Sequence, residues 1–82
     1  MKIMLLRQDL LDYLSEHKLG TKWIKIVKLF ESNIQHPSLS VELLEPEWHG
    51  IYSFRIDRRY RALFFFIREN AVEVFQITNH YK

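Results

Sequence analysis

Residues 51–78 constrain this chain more than any other stretch. They hold three runs, near 51–56, 60–67 and 71–78, in which large apolar side chains recur at every second position. A period of two marks β-strands that turn one face to a core. On the first run Tyr52, Phe54 and Ile56 share a face, and Ile51, Ser53 and Arg55 share the other. On the second, Tyr60, Ala62, Phe64 and Phe66 lie opposite Arg61, Leu63, Phe65 and Ile67. The connections are short, so the strands pair as antiparallel hairpins.

The turns set the register. A three-residue loop of Asp57, Arg58 and Arg59 pairs Ile56 with Tyr60 and Arg55 with Arg61, and puts the even-numbered aromatics on one continuous face. A two-residue turn at Arg58-Arg59 would place Arg61 opposite Ile56, and it lacks the Gly or Asn such turns require. The next turn is expected at Glu69-Asn70. It pairs Arg61 with Thr78, Leu63 with Gln76, Phe65 with Val74 and Ile67 with Val72. On the other face Phe64 then meets Phe75, and Ala62 meets Ile77.

Ahead of the strands the period changes. Leu6, Leu10, Tyr13 and Leu14 recur at helical spacing up to about His17, and Gly20 breaks the run. Thr21 is the expected N-cap of a second helix, with Trp23, Val27, Phe30 and Ile34 on one face. Residues 2–5 suit a short strand or the lead-in to the first helix. Pro37 ends the second helix. Val41 to Leu44 suits a short strand, and Glu45 to Gly50 a loop. The expected fold is α+β: a two-helix antiparallel hairpin packed on one face of a small, mainly antiparallel sheet, one domain over residues 1–82.

At 82 residues such a fold has room for one small core, and a partner that binds it adds to its stability. There are no cysteines, which excludes disulfides, thiolate metal sites and a cysteine nucleophile. That fits a reducing cytoplasm. The apolar start, Met1 to Leu6, is too short for a signal peptide or a membrane span. No metal, cofactor or membrane contact is expected. The net charge of +2 is unevenly spread. Six bases and three acids follow residue 50, whereas six bases and seven acids precede it. The C-terminal half therefore suits an anionic partner.

The register gathers chemistry at one end of the sheet. Arg55, Arg61, Thr78 and His80 fall on the same face. Like charges directly opposed destabilise a sheet unless an anion or an acid answers them. A guanidinium offers forked donors to phosphate oxygens, and an imidazole moves a proton near neutral pH. Together they suit phosphodiester cleavage, with Arg61 stabilising the transition state and His80 and Tyr81 in proton transfer. Arg55, Arg58, Arg59 and Lys82 are candidate phosphate contacts. The bland alternatives are a solvated turn at Arg58-Arg59, a frayed chain end at His80 and Tyr81, and a structural ion pair from Arg61 to Glu42, Glu45 or Glu47.

Three stretches carry a resemblance: HPSL at 36–39, GIYSFRIDRRYRALF at 50–64 and ITNHY at 77–81. Together they resemble the RelE/ParE toxin superfamily, and within it the YoeB/Txe-like and RelE-like mRNA interferases. The resemblance implies the toxin of a type II toxin–antitoxin pair, an endoribonuclease that cleaves messenger RNA on the ribosome by attack of a ribose 2′-hydroxyl. It matches Arg61 to the family's phosphate-stabilising arginine, Arg55 to a supporting basic position, and His80-Tyr81 to a C-terminal His-Tyr pair. The YoeB-like branch has a glutamate base just after the second helix. Pro37 stands there in this chain, which leaves His36, Glu42 or His80 for that role. The implied partners are a cognate antitoxin, messenger RNA and the ribosome. The apolar odd face, Leu63, Phe65 and Ile67 with Val72 and Val74, is the expected antitoxin-binding surface. Two other functions suit the same fold: a ParE-like inhibitor of DNA gyrase, and a non-catalytic binding module.

Overall fold

The structure is a computed structural model that describes residues 1–46 and 49–79. Along the chain run β1 (Lys2–Ile3), α1 (Gln8–Glu16), α2 (Gly20–Ser32), a 3-10 turn at Pro37–Leu39, β2 (Glu42–Leu43), β3 (Tyr52–Arg55), β4 (Tyr60–Arg68) and β5 (Ala71–Asn79). The five strands form one sheet in the order β1-β5-β4-β3-β2. All neighbours are antiparallel except β1, which pairs parallel with β5 through Lys2–Ala71 and Ile3–Val72. The start of the chain is thus a strand, and it lies beside the last one. No helix among the described residues is long and apolar enough to cross a membrane.

Both helices pack on the even face. Leu10 and Leu14 of α1 and Phe30 of α2 are buried with Phe54, Ala62 and Phe64. Three rings make the centre. Phe30 meets Phe54 at a centroid distance of 4.9 Å and Phe64 edge-on at 5.4 Å. Such pairs add roughly 0.5–1.5 kcal/mol each beyond the area they bury.

The turn between the helices differs from the expected one. Gly20 is the first residue of α2, and Leu19, not Thr21, is its N-cap. The break comes earlier, at Lys18, which takes a left-handed φ of 57°. Its amide donates to the Ser15 carbonyl at 3.1 Å, and the Leu19 amide to the Leu14 carbonyl at 2.8 Å. These are the two bonds of a Schellman motif, closed by contact between two buried leucines.

The β3–β4 register is the expected one, with Arg55 opposite Arg61 and Phe54 opposite Ala62. The Ile56 amide donates to the Tyr60 carbonyl at 2.9 Å. Between β4 and β5 the expectation holds at Arg61–Thr78, Ala62–Ile77 and Leu63–Gln76, then fails. Phe64 faces Val74 rather than Phe75, and Phe65 faces Glu73 rather than Val74. Two compensating bulges cause this, with Phe75 the extra residue on β5 and Ile67 the extra one on β4. The intervening part of β5 is turned over. Val72 and Val74, expected on the outer surface, are 0% and 2% exposed in the core. The reason is burial: an unbroken register would have turned the Glu73 carboxylate inward and two valines out to water.

Candidate active site

The outer face of the sheet carries Arg61 on its central strand, between Arg55 of β3 and Thr78 of β5. The Arg61 side chain is 12% exposed. Burying a charge is costly unless its donors are met. Arg61 Nε donates to Ser53 Oγ at 3.0 Å, and Nη2 donates to the Ser40 carbonyl and, at 3.4 Å, to the Ser53 carbonyl. Ser53 is itself 1% exposed, the one buried polar residue among those described. Ser40 follows the 3-10 turn in a left-handed conformation, φ 46°, just ahead of β2. These bonds occupy Nε and Nη2; among the described residues none is given to Nη1.

Of the acids anticipated as partners of Arg61, Glu47 lies outside the described residues and Glu42 pairs loosely. Glu42 Oε1 is 3.9 Å from Nη2, and its side chain is 58% exposed. Burial draws the Arg61 guanidinium below the usual arginine range; the Glu42 carboxylate opposes this and Arg55 adds to it. The guanidinium still keeps its charge at any physiological pH. A cleft of about 200 Å³ opens over it, lined by Leu44, Ser53, Arg61, Leu63, Gln76 and Thr78. Arg61 is the one charged residue in that lining; Arg55 stands across the ladder from it and Glu42 beside it.

The other candidates are distributed unevenly. Arg55 is exposed, directly across the ladder from Arg61. Glu42 stands beside Arg61, whereas His36 lines a different cavity, with Tyr52 and Phe66. His36 Nδ1 accepts the Ser38 amide at 3.1 Å, capping the 3-10 turn, so its basic lone pair is already engaged. Arg58 and Arg59 project at the tip of the β3–β4 hairpin. Leu63 and Phe65 are half-buried on the outer face, and Ile67 is 43% exposed. His80, Tyr81 and Lys82 lie outside the described residues. The described part of β5 ends at Asn79, opposite Tyr60 and one residue beyond the Arg61–Thr78 pair. Sequence reasoning missed Ser53 and Ser40. Ser53 left one trace, a small hydroxyl on the strand face that also holds Arg55.

This α+β architecture is shared with solved YoeB/ParE toxin structures. Over 99% of this chain and 100% of the other, it superposes on a YoeB/ParE toxin from Agrobacterium tumefaciens with a TM-score of 0.70 at 20% identity. A YoeB dimer from Staphylococcus aureus matches 98% of this chain and 94% of its own, with a TM-score of 0.64 at 20% identity. No protein-family model and no curated protein sequence matches the chain.

Proposed function

We propose that this chain is the toxin of a type II toxin–antitoxin pair and an endoribonuclease that cleaves messenger RNA on the ribosome. The observation that carries this reading is the state of Arg61: a guanidinium oriented by an alcohol and two carbonyls, its nearest acid among the described residues 3.9 Å away, with a cleft in front of it. A purely structural arginine at that depth would be expected to hold its carboxylate tightly.

In the proposed reaction the ribose 2′-oxygen attacks the adjacent phosphorus, and its proton passes to a base. The bond from phosphorus to the 5′-oxygen breaks, that oxygen takes a proton, and a 2′,3′-cyclic phosphate remains. Arg61 answers the charge that builds on the phosphoryl oxygens. Of the candidate bases among the described residues, Glu42 is favoured, as an exposed carboxylate 3.9 Å from Arg61. His80 and Tyr81 are assigned the proton for the leaving oxygen, and Arg55 and Lys82 further contacts to the RNA backbone. The outer face at Leu63 and Phe65, extended by Ile67, is proposed to seat the antitoxin.

Primer extension on translated messages tests the assignment. Arg61→Ala is expected to lower cleavage at least about 100-fold. Glu42→Gln is expected to lower it about 100-fold. Near-normal cutting by Arg61→Ala removes the site. Growth arrest that survives Arg61→Ala combined with His80→Ala points to gyrase poisoning on the same fold.

A further inference from the structure

On the helical side of the hairpin tip lies a second cleft, of about 560 Å³, lined by His17, Leu19, Lys22, Asp57, Arg58, Arg59 and Tyr60. Its formal charge, three cations against one carboxylate, is +2 with His17 neutral. The carboxylate is spoken for. Asp57 Oδ1 accepts the amides of Arg59 at 2.8 Å and Tyr60 at 2.9 Å, and Oδ2 accepts Lys22 Nζ at 2.9 Å. Asp57 therefore makes the turn and ties it to α2. The side chains of Arg58 and Arg59 contribute nothing to either, and among the described residues no carboxylate lies within ion-pair distance of them. A turn built this way tolerates any solvated side chain at those two positions, yet both are arginine.

The wall of the cleft is aromatic and fixed. His17 stacks on Tyr13 at 3.9 Å and meets Tyr60 edge-on at 5.5 Å, while His17 Nδ1 donates to the Tyr13 carbonyl at 2.9 Å. Forked cations beside fixed rings suit a phosphate with its neighbouring base. The next ladder pair behind this tip is Arg55–Arg61. Cationic groups thus run from the outer face, around the end of the sheet, into the cleft.

We propose that this cleft is a second RNA-backbone subsite, in which Arg58 and Arg59 hold phosphates of the strand that crosses Arg61. The proposal rests on the nuclease reading above and extends it to the opposite side of the sheet. It excludes Lys22 from direct contact, since its charge is committed to Asp57.

Binding of the full-length protein to a short, uncleavable 2′-O-methylated single-stranded RNA, and to ribosomes carrying a message, tests it across a salt series. The variant is Arg58→Ala/Arg59→Ala. The control, Lys28→Ala/Arg68→Ala, removes the same charge from exposed positions away from the cleft. Affinity for RNA is expected to fall at least about tenfold in the variant, and the salt slope by about 1.4, or about 0.7 for each lost phosphate contact. A loss seen with the oligomer assigns the cleft to the message. A loss seen on ribosomes alone assigns it to ribosomal RNA and overturns the proposal that it holds the strand crossing Arg61. A variant that matches the control overturns the proposal and leaves the nuclease reading standing. Wild-type protein that binds neither probe sinks both.

Discussion

At Arg61 a cation is held on the central strand by one alcohol and two carbonyls, and a loosely placed acid waits at the rim. Ser53 is then a positioning residue. Removing its hydroxyl leaves Nε without an acceptor in a buried spot and lets the guanidinium turn. Ser53→Ala is expected to lower single-turnover cleavage about tenfold, to cost about 1 kcal/mol of stability and to leave RNA affinity unchanged. Affinity that falls in step with the rate would give Ser53 a binding role instead. Asp57 makes a separate prediction. Burial tends to raise its carboxyl, but Lys22 and the amides of Arg59 and Tyr60 outweigh this and hold it below the usual range. A group depressed in the folded state stabilises above its unfolded pKa, and that stability is lost as pH falls through the folded value. Asp57→Asn should therefore cost most near neutral pH, about 1–2 kcal/mol. The gap to wild type should close in acid, and urea titrations at several pH values check this. The Arg55–Arg61 pairing was legible from loop length and turn chemistry. The bonds from Arg61 to Ser53 and Ser40 were not, because they depend on where a distant loop places one carbonyl.

Among the elements, β5 teaches most about reading a pattern. Its positions in the core cluster, Val72, Val74 and Ile77, are spaced by two and then by three. That extra step is the bulge at Phe75, visible in the sequence once strict alternation is abandoned. Assuming an unbroken register placed two core valines on the surface and assigned them to a partner. The helical hairpin makes a similar point. Gly20 drew attention because glycine is a strong breaker, yet the left-handed position fell to Lys18. The paired leucines at 14 and 19 fix the turn there, and their burial outweighs the strain at a lysine. Lys18→Gly is accordingly expected to stabilise the protein by about 1 kcal/mol, as a rise in its thermal midpoint. A lower midpoint would mean that the lysine side chain supports the turn.

For the whole molecule, the sheet divides labour between its faces. One face buries aromatics under both helices; the other presents Arg61 amid half-buried Leu63 and Phe65. An antitoxin seated on those apolar residues would cover the cleft as well. In the proposed reading, Phe65→Glu is expected to weaken that complex about 30-fold, the scale of a hot-spot residue, while the protein still folds and keeps its proposed activity. Undiminished neutralisation of Phe65→Glu in cells would place the antitoxin elsewhere. The strand order has a consequence for synthesis. The last strand made lies between the first strand and the central one, and it supplies Gln76 and Thr78 to the wall of the cleft. A nascent chain that stops before residue 71 has neither a closed core nor a finished pocket. Under the proposed nuclease reading, cleavage would wait until β5 has been made.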